Sequence, residues 1–168
     1  MKTVTSNEIK VELKAIKFHD DMSEETNCFS ANIYLNGKKV GSVKNQGHGG
    51  CNFYDFMFKD KNGEWVRDRE SEKILYDWAD SQELTYELDG ETHEVVTEKL
   101  DWVIDKLFDK AMEIKDLKRM CRGGKTAIQL EGDDKNSWMI YKFPYNQEMK
   151  DFLAKTHPTI TRIANEEI

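Results

Sequence analysis

The sequence predicts an α+β fold in which an antiparallel sheet and hairpins pack with one long central helix and shorter helices. Three observations carry that expectation. Asn36-Gly37 lies between two alternating apolar segments and tolerates positive φ at both central positions of a type I′ turn, the strongest short-range hairpin signal. Val96, Leu100, Val103, Leu107 and Ala111 recur at steps of four and three, the spacing of one helical face. Beyond Gly123-Gly124, two short alternating runs flank the acidic turn Gly132-Asp133-Asp134-Lys135-Asn136 and read as a second antiparallel hairpin.

Taken in order, Ile9, Val11 and Leu13 alternate, and Ile16 and Phe18 continue in the opposite phase. That pattern predicts a first strand with a bulge near Ala15. Phe29, Ala31, Ile33 and Leu35 give a second strand, and a third runs over 38–44 after the turn. A plain two-residue turn sets Ile33 opposite Val40 and Ala31 opposite Ser42. Gly47-His48-Gly49-Gly50 then predicts a loop. Phe53, Tyr54, Phe56, Met57 and Phe58 follow as a run that must be buried or form half of a contact surface.

Ile74, Leu75, Trp78 and Ala79 predict a short amphipathic helix within 69–81. Residues 82–90 read as extended or irregular. The long helix is expected to start near Thr92 as its N-cap and to stop at Gly123-Gly124. Trp102, Ile104, Phe108 and Met112 widen its apolar stripe, while Glu94, Glu98, Asp101, Asp105 and Asp109 form an acidic flank. Lys115, Lys118, Arg119 and Arg122 gather near its end, where cations complement the helix dipole. Asn146 caps a further helix with Met149, Phe152 and Leu153 inward, His157-Pro158 breaks it, and Ile160, Ile163 and Ala164 suggest a last helical piece.

The 168 residues suit one domain, organised as an N-terminal hairpin region over 8–58, a helical layer over 69–122 and a C-terminal hairpin and helix over 125–168. No repeat or linker divides them. With 38% hydrophobic and 34% charged residues and only two prolines, neither a disordered chain nor a disulfide-stapled miniprotein fits. The first residues contain no signal-type apolar run, and no stretch is apolar for 18 residues. A cytoplasmic protein without membrane attachment is expected. Cys28, Cys51 and Cys121 suit reduced thiols. The net charge of −7 argues against a general nucleic-acid binder and suits a basic protein surface, although solubility alone accounts for it.

The only concentration of reactive side chains is GHGGCN, with His48, Gly49, Gly50, Cys51 and Asn52 as candidate binding residues and Asp55 three positions after Asn52. An imidazole three residues from a thiol can act as its base, which would make a small Cys/His-dependent enzyme. A glycine turn leading a cysteine into the core explains the same residues. His48 and Cys51 with His19 and Cys28 would offer zinc two His and two Cys, but the spacing is not that of zinc motifs, so no metal or cofactor is expected. CRGGKT ends like a phosphate-binding loop, yet the required first glycine is Arg119 and a helix precedes it. Arg119, Arg122 and Lys125 remain as a basic cluster able to hold a phosphate or a nucleic-acid backbone. Dipole complementation and solvation explain that cluster more simply, and a solvated flank does the same for the acidic row.

NGKKVGSVKNQGHGGCNFYDF, a long helix running into GGKTAIQL, then PYNQEMKDFL and a terminal IANEEI together resemble small proteins encoded by bacteriophages and mobile elements. The resemblance implies a genomic setting rather than an activity: an accessory protein that binds a host or defence component, either a protein or a small nucleotide, including as counter-defence.

Overall fold

The computed structural model describes residues 9–168, so the expectation that no signal segment precedes the first strand falls outside the described residues. The α+β class is observed. The chain forms two compact units, one up to Phe108 and one from Asp109.

In the first unit a four-stranded antiparallel sheet has the order β1-β2-β3-β4, from β1 (Val11–Phe18), β2 (Phe29–Leu35), β3 (Lys38–Asn45) and β4 (Phe53–Asp55). Burial alternates along all seven residues of β2, as expected of a sheet with one face in the core. The β1 bulge lies between Lys14 and Lys17, and Ala15 adopts φ 53°. The Asn36-Gly37 turn has φ of 48° and 82°, as a type I′ turn requires.

The expected register holds only at the turn, where Leu35 faces Lys38 and Tyr34 faces Lys39. Beyond it Ile33 faces Gly41 and Ala31 faces Val43, one residue off the simple pairing. The cause lies on the neighbouring strand. A Cβ at residue 41 would sit 2.7 Å from the Asp55 carbonyl and 2.9 Å from the Phe56 ring. Only glycine lets that backbone pass, and Val40 is the extra residue of the resulting bulge.

Two hairpins and a helix follow the sheet. β5 (Met57–Lys59) pairs with β6 (Trp65–Arg67). α1 (Arg69–Asp80) is capped by Asp68, whose carboxylate accepts the Ser71 N–H at 3.0 Å. That bond holds the Asp68 carboxyl below the usual range. Residues 82–90, expected to be extended or irregular, contain the extended strand β7 (Thr85–Leu88), which turns at Asp89-Gly90 into β8 (Glu91–Glu94).

Thr92 is therefore in a strand and caps nothing. α2 begins at Lys99 and ends at Met120, and Val96 is 76% exposed rather than part of the stripe. The break is Glu98, with φ 53°, and Lys99 reaches back to the carbonyls of Gln82 and Asp80 at 2.9 and 3.3 Å. Leu100, Val103, Ile104 and Phe108 are buried, and Phe108 stacks on Phe29 with centroids 4.4 Å apart.

The second unit is built on β9 (Thr126–Leu130), the middle strand of the order β10-β9-β11 with β10 (Met139–Tyr141) and β11 (Ile160–Ile163). Ala127 packs with Leu117 and Ala164, while Ile128 packs with Met149 and Leu153 of α3 (Gln147–Thr156). Both faces of β9 are thus covered, which is why four of its residues are buried in succession.

Asn146 caps α3 through the Met149 N–H as expected. Phe152, expected inward, is exposed and meets Tyr141 edge-on at 5.8 Å. The last helical piece is also corrected, because Ile160–Ile163 is a strand completing the sheet and only Ala164–Glu166 forms a short 3-10 turn. Arg162 donates to Glu113 at 2.6 Å and to Glu167 at 2.9 Å. Its guanidinium holds both carboxyls below the usual range.

Candidate functional site

The GHGGCN loop joins β3 to β4, and it is fixed by polar bonds from end to end. Asn45, buried at the last position of β3, accepts the Thr26 hydroxyl at 2.8 Å and the Gly47 N–H at 2.9 Å through Oδ1. Its Nδ2 donates to Asn52 Oδ1 at 3.0 Å. The Gly47 carbonyl receives the N–H groups of Glu24, Glu25 and Thr26 at 2.9, 3.0 and 3.3 Å. Gly47 has φ 87°, and a Cβ there would stand 2.2 Å from the Met22 carbonyl oxygen. Both the left-handed backbone and the close approach demand glycine.

The far end of the loop is held by α2. Asn52 is buried, its N–H donates to Asp101 Oδ2 at 3.0 Å, and its Nδ2 donates to Asp105 Oδ1 at 3.0 Å. The Tyr54 hydroxyl donates to Asp101 Oδ1 at 2.5 Å. Burial, reinforced by that carboxylate, pushes the Tyr54 pKa far up, so Tyr54 is a fixed donor. Spacing along α2 explains the cluster, since residues four apart share one helix face.

The acidic row is thus more than a solvated flank. Glu98, Asp101 and Asp105 are the acceptors on which the loop rests, which corrects the simpler expectation. Sequence spacing could not reveal the pairing, because Asn52 and Asp101 are 49 residues apart.

His48 and Cys51 do not pair with each other. His48 Nδ1 lies 3.0 Å from Glu24 Oε2, and the Cys51 thiol donates to Glu98 Oε1 at 3.3 Å. The hydrogen bond to Glu98, followed by the charges of Glu98 and Asp101, raises the Cys51 pKa. A thiol so placed stays protonated near neutral pH, the opposite of what nucleophilic catalysis needs. Cys51, Asn52, Tyr54, Tyr76, Asp80 and Asp101 line a 280 Å³ depression. Among the described residues no group of three or more His, Cys, Asp or Glu is arranged to hold a metal ion.

His48, Gly50 and Cys51 are exposed, Gly49 is half-buried and Asn52 is the anchor. Arg119, Arg122 and Lys125 belong to the second unit, at the end of α2 and the turn into β9. Arg119 pairs with Asp116 at 3.2 Å, Arg122 is exposed and Lys125 is half-buried. No helix among the described residues is long and apolar enough to cross a membrane.

One surface is only half legible in the sequence. Hairpin β5–β6 exposes Met57, Phe58, Trp65 and Val66, with Trp65 at 64%. Phe58 faces Val66 across the strands, and Lys59 lies over the Trp65 ring at 5.4 Å. The apolar run into Phe58 signalled this surface, but its pairing with Trp65 and Val66 depended on a turn at 60–63. Compared with protein-family models, with curated proteins and with solved structures, the chain matches none.

Proposed function

We propose that the chain is a non-enzymatic accessory protein of a phage or mobile element that works by binding a host or defence component. The observation that carries this reading is hairpin β5–β6, a regular two-stranded element whose apolar side chains are left to solvent. Such patches on folded proteins mark contact sites, and aromatic side chains supply most interface hot spots. The exposed rim of the GHGGCN loop, His48 to Cys51, adds a rigid polar feature beside the start of β4. A protein partner fits these side chains better than a small nucleotide.

The enzyme alternative requires an activated Cys51, and the neighbouring carboxylates oppose that. Alkylation of Cys51 by iodoacetamide should have its midpoint at a higher pH than an ordinary thiol, because Glu98 favours the protonated form. Glu98→Gln should lower that midpoint. A midpoint below the ordinary cysteine range would sink the binding-only reading.

Capture experiments from the natural host supply the direct test. Trp65→Lys should abolish retention of the partner that the parent protein retains, whereas Cys51→Ser should keep it, both variants having the parent's circular dichroism. Equal capture by Trp65→Lys, or loss in folded Cys51→Ser, would overturn the proposal.

A further inference from the structure

The four-stranded sheet has one face in the core and one face open. Ser30, Asn32 and Tyr34 alternate with the buried positions of β2, and their cross-strand partners Lys17, Lys44, Ser42 and Lys39 point the same way. Phe53 faces Lys44 from β4 and is 57% exposed. Lys17, Ser30, Asn32, Ser42, Lys44 and Phe53 line an open concavity of 460 Å³ on this face. Regular sheet positions them all, so their spacing is set by backbone pairing.

Charge on this face departs from that of the chain. Lys14, Lys17, Lys39 and Lys44 stand against Glu12 and Asp55, in a sequence of net charge −7. Glu12 is already engaged by Lys10 and Lys14 at 3.2 and 3.8 Å, and Asp55 accepts the Met57 N–H at 2.9 Å. Lys14 lies over the Tyr34 ring at 4.5 Å and Lys44 over the Phe53 ring at 6.0 Å. Cation and aromatic ring therefore alternate across the strands.

We infer that this open sheet face binds single-stranded nucleic acid, with a base stacked on Phe53 and the backbone phosphates along Lys17 and Lys44. Exposed aromatic rings on a sheet accept the faces of unstacked bases, and a positive track holds the phosphates. Ser30, Asn32 and Ser42 supply donors and acceptors to base edges in the concavity between. A duplex offers no free base face to Phe53. An acidic peptide would satisfy the lysines and leave the ring and the Ser/Asn row unused. The inference does not depend on the GHGGCN loop or on hairpin β5–β6.

Fluorescence polarisation tests it with the full chain and a labelled pyrimidine-rich single-stranded DNA, beside the matching duplex and a polyglutamate peptide. The single strand should bind most tightly. Phe53→Ala should weaken it about five- to hundredfold, and Phe53→Trp should restore it. Lys17→Glu with Lys44→Glu should weaken binding and flatten the salt dependence, since each phosphate contact to a single strand contributes about 0.7 to the log–log slope. Lys118→Glu with Arg122→Glu should change nothing. Absence of binding, equal affinity for Phe53→Ala, tighter binding of the duplex or of polyglutamate, or a loss that follows Lys118 and Arg122 would each overturn it.

Discussion

The GHGGCN loop and hairpin β5–β6 follow one another in the chain and invert what their sequences suggest. The loop is glycine-rich and irregular, yet a ladder of polar bonds from Thr26 through Asn45 and Asn52 to Asp101 and Asp105 holds it. The hairpin is regular and rich in large apolar residues, yet both strands are exposed at every position. Irregular backbone is therefore the fixed element here, and regular backbone the one left free to meet something else. Loops that carry few apolar side chains are held by satisfied polar groups or not at all, whereas a two-stranded hairpin gains little stability by itself.

The sharpest way to break the comparison is at Gly47. Alanine there combines a left-handed φ with a Cβ 2.2 Å from the Met22 carbonyl and 2.9 Å from Cys28 Cβ. Strain and overpacking together should cost about 2 to 5 kcal/mol, read as a fall in the denaturant midpoint. A near-neutral Gly47→Ala would mean that the loop relaxes freely and is not the fixed element.

Asn52→Ala tests the other end of the ladder at a smaller scale. It removes the Asn52 acceptor of Asn45 Nδ2, leaving the longer bond to the Gly50 carbonyl at 3.5 Å, and takes the Asn52 amide donor from Asp105. Unmade hydrogen bonds at partly buried groups predict a loss of about 1 to 3 kcal/mol, with Asp105→Asn milder because an amide oxygen can still accept. Equal stability of Asn52→Ala and the parent would assign loop order to Gly47 alone.

Those two positions also mark how far the sequence could be read. Local signals were legible wherever one chemistry governed a short segment: the Asn36-Gly37 turn, the β1 bulge, the Asn146 cap and the class of fold. Asp89-Gly90 offers the same turn signal, with φ of 53° and 81°. It was masked because β8 is polar and Val96 continues the helical spacing backwards past the true start. The shifted register at Val40 depends on Phe56 pressing on Gly41, a contact no local pattern encodes. The helix flank likewise looked solvated because its partners, Cys51, Asn52 and Tyr54, come from a distant strand and loop. His48 to Asn52 stand out in the sequence as candidate binding residues, with Cys/His chemistry as the alternative. Cys51 and Asn52 rest on the acidic row while His48 meets Glu24, and Glu98 and Asp101 raise the Cys51 pKa.

The smallest expected effect belongs to the hairpin. Trp65 gives up little on mutation to Ser, because it is 64% exposed and lies against the facing Lys59. An exposed cross-strand pair and an exposed cation–π contact are together worth about 1 kcal/mol. Unfolding of Trp65→Ser followed by circular dichroism should therefore show a midpoint close to the parent's, and Phe58→Ser should behave alike through loss of its facing Val66. If either variant lost as much as Gly47→Ala, the hairpin would be a structural buttress and its aromatic side chains would be explained by folding. If both stay near the parent while partner capture disappears, stability and binding have been separated: the polar ladder maintains the fold, and the apolar strands, which contribute little to it, are kept for contact.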